Sequence, residues 1–233
     1  MARQVRSEAT RRKILDAAID VFSEVGYATA AWGTIIERTG MTKGALYHHF
    51  DSKESLASAI IEEGSDTLLV AFRNVCGPSS PALENMIHGT FTIANVLTSD
   101  KMSRAAEQLT AALSGFNEAA ARFCAGLVEA MAAEARRAGA EGDLRSDLDP
   151  EVVSESIVGA VLGTRLLFNA MSAEGPDRDL IERTGQLWEL LLAGIVTDAS
   201  LPYFRQFLAR EAIRHARSAA SPRTETIVAP EVN

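Results

Sequence analysis

Cysteine and long apolar runs are the features that this sequence has least of. Its 233 residues include two cysteines, Cys76 and Cys124, whose spacing matches neither a metal-binding nor a redox motif. Isolated cysteines of this kind are usually buried packing residues. Apolar residues make up 47% of the chain, yet no run is long enough to predict a membrane helix. The N-terminus has charges where a signal peptide needs an apolar stretch, which predicts a cytoplasmic protein.

The signatures of common catalytic sites are also missing. The chain has no GxSxG, no HExxH, no Walker loop and no cysteine–histidine pair suited to catalysis. His88 and His215 stand alone in the sequence. His48 and His49 are adjacent and diverge by about 100° on a helix, so they make a poor metal site. We therefore predict that the protein is not an enzyme and has neither a cofactor nor a metal.

The most informative segment is present between Gly40 and Leu56 and reads GMTKGALYHHFDSKESL. A turn at Gly40 is followed by Thr42, a good N-cap, and then by a helix of barely two turns. Leu46 and Phe50 are expected to face inward, which leaves a cationic, small and hydroxyl-bearing face outward. A short helix with such a face fits the major groove of DNA.

Two further helices precede this segment. Apolar residues between 10 and 25 recur at the helical period, and Gly26 ends that helix as a C′ glycine should. Ile35 and Ile36 mark a second, shorter helix. Two helices, a short turn and a reading helix make a helix-turn-helix, so we predict a DNA-binding head.

Charge is divided unevenly between this head and the rest of the chain. The whole chain carries a net charge of −8. Residues 1–53 hold eight basic and six acidic side chains, a net of +2, so the remainder carries −10. This asymmetry would present the head to phosphates and the remainder to solvent.

Three motifs in the head resemble those of TetR-type transcriptional repressors. They are TRxxILxAA from Thr10, FxxxGY from Phe22 and GMTKGALYxHFxSKE from Gly40, within residues 2–60. The opening MARQ and the TKGALY core are most similar to one subgroup, the γ-butyrolactone receptors of antibiotic-producing actinobacteria and their pseudo-receptor relatives. The resemblance implies an all-helical homodimer with a three-helix head and a variable ligand domain on each subunit.

The head departs from related sequences at the start of its second helix. Where these usually have Thr or Ser as a cap, this chain has Ala31, followed by Trp32 and Gly33. A lost cap costs about 1 kcal/mol, and glycine in the first turn costs up to about 1 kcal/mol more. We predict that this helix frays or starts late, or that Thr29 or Thr34 caps it instead.

The exposed face of the reading helix supplies the predicted DNA contacts. Lys43 is its one long cation and is expected to contact a base edge, preferentially guanine. Gly44 lets the backbone approach DNA, and Ala45 can touch a thymine methyl. Phosphates are expected at Thr42 and the amides that open this helix, at Tyr47 and His49, and at Lys53 at the start of the next helix. Tyr47 could instead pack within the head. The predicted DNA-binding residues are Arg6, Thr42, Lys43, Gly44, Ala45, Tyr47, His48, His49 and Lys53.

The rest of the chain is predicted to be helical, with no alternating strand pattern. The expected helices cover residues 53–75, 81 to about 98, 101–113, 117–138, 151–171, 178–196 and 203–217. The predicted fold class is all-α, with an N-terminal three-helix helix-turn-helix head and a C-terminal helical ligand-binding and dimerisation domain. The predicted domains are 1–62 for DNA binding and 63–217 for effector binding and dimerisation, and 218–233 is expected to be a disordered tail.

The helices at 151–171 and 178–196 are apolar over more than one face, so each must bury two sides. One side can pack within its own subunit and the other against a twin, although both could form intrachain core. The predicted dimer-interface residues are Gly159, Gly163, Leu187, Trp188 and Leu191. Two heads in a symmetric dimer should read a palindrome with half-sites about 34 Å apart or a multiple of this.

The middle helices hold an apolar set that would suit a small, mostly apolar effector, although many of these residues could simply be core. The predicted ligand-binding residues are Phe91, Leu109, Leu113, Phe116, Phe123, Leu127, Val161, Thr164 and Phe168. The resembled receptors generally have a tryptophan in the helix that here covers 117–138, and this chain has none there. That difference favours a pseudo-receptor for an antibiotic or another non-butyrolactone ligand.

These patterns together predict a sequence-specific repressor that binds a double-stranded DNA operator as a homodimer and is released by a small effector. The resemblance implies a γ-butyrolactone or a related signal as that effector. The helix at 53–75 joins the head to the ligand domain, so it is the expected lever of release. A DNA-binding protein without a ligand is the remaining alternative.

Overall fold

In the part of the chain that the computed structural model describes, every regular element is a helix. The structure describes residues 2–171 and 180–220, with side chains described for 5–167, 170–171 and 180–215. The helices are α1 (Ala2–Thr29), α2 (Trp32–Thr39), α3 (Lys43–His49), α4 (Lys53–Val75), α5 (Ala82–Ser99), α6 (Lys101–Leu113), α7 (Glu118–Glu141), α8 (Pro150–Met171), α9 (Leu180–Ile195) and α10 (Leu201–Ala220). The predicted all-α fold class is confirmed.

Most helix boundaries lie within a few residues of those expected, and α4 and α6 match them. The first helix begins at Ala2, well before residue 10, and is interrupted at Gly26, which has a positive φ of 78°. The last helix reaches Ala220, so residues 218–220 are helical and the prediction of disorder is wrong for them. The rest of the predicted tail, 221–233, lies outside the described residues.

The second helix of the head starts without a cap but does not start late. Ala31 is extended at its N-cap and makes no side-chain capping bond. The Ile35 amide nevertheless donates to the Ala31 carbonyl at 3.3 Å, so the first turn is formed. Ile35 is fully buried, and burying an isoleucine contributes about 1.5–3 kcal/mol. The predicted late start, or a replacement cap from Thr29 or Thr34, is therefore wrong.

One apolar core runs through the head and the remainder of the molecule. The fully buried side chains of α4 extend from Leu56 and Ile60 in the head to Leu68 further along the helix, all within one cluster. The predicted domain boundary between residues 62 and 63 lies inside this continuous helix. Movement of one end of α4 is thereby coupled to the other.

A glycine allows α4 to touch α6. A Cβ at Gly64 would lie 2.4 Å from the Ala106 Cβ and 2.8 Å from the Met102 carbonyl oxygen. Ser103 on α6 is within 3.4 Å of the Gly64 carbonyl. No larger residue fits without displacing backbone, so this contact fixes how the head is joined to the body.

None of the helices described here is long and apolar enough to cross a membrane.

Candidate DNA-reading surface and effector cavity

The short helix α3 is anchored by its buried side and capped at its start. Leu46 is fully buried and Phe50 nearly so. The Thr42 hydroxyl accepts a hydrogen bond from the Ala45 amide at 3.3 Å. Gly40 ends α2 in the left-handed conformation, with φ of 63°, which L side chains rarely adopt. Local sequence therefore sets both the turn and the helix that follows it.

The opposite side of α3 is accessible to solvent. Lys43, Gly44 and His48 are exposed, and Ala45 and His49 are half-buried. A Cβ built on Gly44 would meet nothing within 4 Å, so the protein's own packing does not require glycine there. This side offers a cation, small residues and ring donors on one short surface, the chemistry that reads and grips DNA.

Tyr47 packs within the head and is also partly exposed on the same face as Lys43. It is 45% exposed, while its ring meets Trp32 edge-on with centroids 5.8 Å apart. The Lys43 Nζ lies 5.6 Å from the Tyr47 ring centroid. Trp32 therefore supports the reading surface, a role that the sequence pattern at the start of α2 did not indicate.

Lys53 has a structural role that differs from the predicted phosphate contact. Its Nζ donates to the carbonyls of Tyr27 at 2.8 Å and Ala30 at 3.0 Å, and lies 4.5 Å from the Tyr27 ring centroid. These carbonyls flank the end of α1, where backbone acceptors lack helical partners. The ammonium is thus used to join the start of α4 to the end of α1.

Two other predicted DNA contacts lie in different surroundings. Burial lowers the pKa of His49, and the neighbouring His48 and Arg11 lower it further, so the His49 ring is neutral at neutral pH and acts as a donor without charge. Arg6 is exposed near the start of α1. No described contact joins Arg6 to α3.

A small apolar cavity lies between α4, α5, α7 and α8. Its volume of about 20 Å³ is enough for one water molecule. Thr90 is its one polar lining residue, and the others are Phe72, Ile93, Leu127, Met131, Val158, Val161 and Leu162. Phe72 is held against α5, because a Cβ on Gly89 would lie 2.3 Å from its ring. An effector of ordinary size must enlarge this space.

The predicted ligand residues are not all brought together. Leu127 and Val161 line the cavity. Leu109 instead lines a crevice of about 290 Å³ between α1 and α6. The clearest correction concerns Phe116. Its side chain is 71% exposed in the turn before α7, and it lines neither the cavity nor the crevice. Phe91, Leu113 and Phe123 are core residues, Thr164 is half-buried, and the Phe168 side chain lies outside those described.

A buried ion pair lies one helical turn from the cavity wall, and the sequence patterns did not single it out. Arg165 is 1% exposed, and its Nε donates to the Glu107 carboxylate at 2.9 Å. Among the described side chains, neither terminal guanidinium nitrogen has a hydrogen-bond partner, and neither does the buried Thr110 hydroxyl, one turn from Glu107 on α6. The sequence did contain one signal of this pair, because Arg165 is the single charged residue in the largely apolar stretch 156–171. Unpaired buried donors of this kind call for a partner, which either an ordered water or a polar group of a ligand would provide.

The outer faces of α8 and α9 are apolar and exposed. Five large apolar residues on these faces are between 57% and 81% exposed, namely Val152, Leu166, Leu167, Met171 and Leu190. Gly159 is exposed and Gly163 half-buried, with no atom within 4 Å of a built Cβ at either, while Leu187 and Leu191 are half-buried. Trp188 is a correction, because it is fully buried and donates to the Thr90 hydroxyl at 2.6 Å. It belongs to the intrachain core.

Comparison with known proteins agrees with this arrangement. Residues 14–60 match the family described as bacterial regulatory proteins, tetR family. Residues 80–197 match the tetracyclin repressor-like C-terminal domain. The A-factor receptor protein of Streptomyces griseus is 32% identical over 195 residues, which cover 84% of this chain and 67% of that protein.

Solved structures show the same likeness. A γ-butyrolactone receptor described as ArpA-like has a TM-score of 0.73 at 26% identity and covers 90% of this chain and 99% of its own. CprB from Streptomyces coelicolor, in complex with its biological operator sequence, has a TM-score of 0.72 at 28% identity, with 90% and 99% covered. These relatives are transcriptional regulators, and the prediction that this protein is not an enzyme is confirmed.

Proposed function

This chain belongs to the TetR family of bacterial regulatory proteins and is a DNA-binding repressor that resembles the γ-butyrolactone receptors, and from this we propose how its residues bind an operator and answer an effector. Family members bind operator DNA and small effectors and act as dimers. We also propose that the protein works in the cytoplasm, where its operator would lie.

We propose that α3 enters the major groove with Lys43 and Gly44 foremost. The observation that carries this proposal is the solvent-exposed, glycine-containing face opposite the buried Leu46. Lys43 contacts a base edge, while Tyr47 and Thr42 contact flanking phosphates. Arg6 and the half-buried His49 add phosphate contacts from the sides of the same head. Lys53 supports the head without touching DNA.

Footprinting on the DNA upstream of the protein's own gene tests this proposal. A protected palindrome with half-sites about 34 Å apart, or a multiple of this, is expected from two heads on a twofold axis. Protection without twofold symmetry, or no retardation of any duplex fragment at low salt, would contradict it.

We propose that the subunits pair through the exposed apolar faces of α8 and α9. Isolated exposed apolar residues are ordinary, but Leu166, Leu167 and Leu190 are three large apolar side chains that are each more than half exposed on these two helices. Leu190→Asp places a charge in this interface and should convert the dimer to a monomer in sedimentation at micromolar concentration. Val25→Asp, at an exposed position on α1, is the matched control, and it should leave the dimer intact.

We propose that the effector enters by enlarging the cavity at Val161 and Leu127, with its polar end on Arg165. A buried guanidinium with two unpaired nitrogens favours an acceptor, such as a carbonyl or a carboxylate, on an otherwise apolar molecule. Both γ-butyrolactones and the carboxylic acids related to them satisfy this description. The absent tryptophan in α7 keeps a ligand other than a butyrolactone as the second candidate.

Calorimetry with a panel of γ-butyrolactones and matching alkyl carboxylates tests the effector site. Arg165→Met keeps the size of the side chain but removes its donors, so it should weaken binding of every active compound while operator binding is kept. Leu109→Met, in the separate crevice between α1 and α6, is the matched control. Equal weakening by both variants would remove Arg165 from the site.

Release would pass along α4. Phe72 lines the cavity near one end of this helix, and Lys53 holds the head at the other. A ligand that displaces Phe72 favours a tilt of α4 and hence a spacing of the two heads that does not suit the operator. An effector that binds without releasing the operator would contradict this mechanism.

A further inference from the structure

Three side chains that commonly bind metal ions meet between α5 and α10. Glu211 and His215 lie one turn apart on α10, and His88 reaches them from α5. The Glu211 Oε2 lies 3.3 Å from the His88 Nδ1 and 3.5 Å from the His215 Nε2. The three ligand atoms all lie within 4.8 Å of one another. None of them belongs to the DNA-reading surface or the effector cavity.

The carboxylate at the centre of this cluster is incompletely satisfied. Glu211 is fully buried, and among the described residues neither of its oxygens accepts a well-directed hydrogen bond. In the same part of the structure the buried His215 Nε2 has no hydrogen-bond partner either. The Arg214 Nη2 lies 2.8 Å from Oε1 and compensates charge there, and the Arg214 Nη1 lies 3.3 Å from the His88 Nδ1. The second carboxylate oxygen, Oε2, lies beside the two imidazoles. A buried carboxylate in this position favours an additional cation.

We propose that His88, Glu211 and His215 form a binding site for a divalent transition-metal ion of the zinc class, with water as a fourth ligand. Ligands at 2.0–2.2 Å around a tetrahedral zinc ion lie about 3.3–3.6 Å apart, and the distances from Oε2 to the His88 Nδ1 and the His215 Nε2 fall in this range. Two imidazoles and one carboxylate are a donor set that zinc accepts. The Arg214 guanidinium, on a side chain that is 57% exposed, turns outward as the ion binds.

The surroundings prepare these ligands for coordination. The Phe91 ring stacks on the His215 ring, with centroids 5.2 Å apart and planes inclined by 13°, which holds the imidazole in place. The His88 side chain is 27% exposed and provides a route for the ion.

Binding would tie the last helix to α5 and so stabilise the ligand domain. The sequence gives no sign of the site, because His88 and the α10 residues are brought together only by folding. The proposal does not depend on the operator or on the effector, and it is testable with the free protein.

Calorimetric titration of the full chain, untagged and freed of metal with a chelator, measures the binding of Zn²⁺. We expect one ion per chain, and Co²⁺ in its place should give the visible absorption of a four-coordinate site. The chain has four histidines, which allows a matched pair of variants. His88→Ala/His215→Ala removes two proposed ligands, whereas His48→Ala/His49→Ala removes the two histidines of the head.

The first variant should bind Zn²⁺ at least about 100-fold more weakly, because two of its three protein ligands are gone. The second should bind as the parent does. His88→Gln, at the most exposed ligand, keeps the test decisive if the double variant does not fold. Arg214→Gln should bind Zn²⁺ at least as tightly, since a competing cation is removed. One-to-one binding that survives in His88→Ala/His215→Ala, or that is lost in His48→Ala/His49→Ala, would overturn the proposal.

Discussion

Glycine serves opposite purposes in the head and in the ligand domain. In α3 a Cβ at Gly44 would meet nothing within 4 Å, whereas at Gly64 and Gly89 it would lie 2.4 and 2.3 Å from neighbouring atoms. The head leaves room for a partner outside the protein, and the body uses the missing side chain to bring its own helices together. A small residue therefore indicates function in one region and packing in the other.

The largest expected effect is at Gly64. Gly64→Ala would drive a methyl group into the Ala106 Cβ and the Met102 carbonyl oxygen, and overpacking of this kind costs about 1–3 kcal/mol. Urea denaturation should show that loss in the free energy of unfolding. Unchanged stability would mean that α4 and α6 separate at little cost, and the comparison between the two regions would fail.

Lys43 should give an effect of similar size, but on operator affinity. Lys43→Ala removes the one long cation from the exposed face of α3 and should weaken specific binding by about 1–3 kcal/mol while relaxing the preference at one base position. Titrations against an operator and its single-base variants measure both. An unchanged footprint and affinity would exclude Lys43 from base contact.

Lys53 separates a structural cation from a DNA-binding one. Lys53→Met loses the hydrogen bonds to the Tyr27 and Ala30 carbonyls, and we expect a loss of about 1–2 kcal/mol in stability, discounted for partial exposure. The salt dependence of operator binding should stay the same, because no phosphate contact is removed. A slope reduced by about 1 would instead restore the phosphate role predicted from the sequence.

The smallest change in stability is expected at Gly44, and whether it is a gain or a loss decides the interpretation. Gly44→Ala should stabilise the free head by up to about 1 kcal/mol, because alanine favours helix and has room here. Operator affinity should fall at the same time, as the new methyl group meets the DNA. A variant that is less stable, or that binds the operator as well as the parent, would show that the glycine is not there for DNA.

The reading helix and the turn before it were predictable because their signals are local. The Thr42 cap, the left-handed Gly40 and the inward Leu46 all act within one helix or one turn. The internal contacts of Lys53 could not be predicted, because residues distant in sequence provide them. Nothing near Lys53 in the chain revealed that the end of α1 needs a donor.

The ligand domain was predictable as helices but not as a site. Phe116 and Leu109 satisfied the same apolar criterion as Leu127, and only packing separates the exposed side chain from the cavity wall. Trp188 lies on an apolar helix that suits a dimer, yet its hydrogen bond to Thr90 joins residues 98 positions apart. Such pairings follow from how helices cross, which composition and periodicity do not specify.

By itself the sequence determined the helical class, the reading helix and its exposed chemistry, because capping, periodicity and charge are properties of neighbouring residues. Tertiary structure alone decided which cations are used internally, which apolar residues enclose a cavity and which histidines meet a buried glutamate. Arg165 with Glu107 and His88 with Glu211 are far apart along the chain. Their contact depends on helix packing, and the free energy of burying their charges depends on the surroundings that this packing creates.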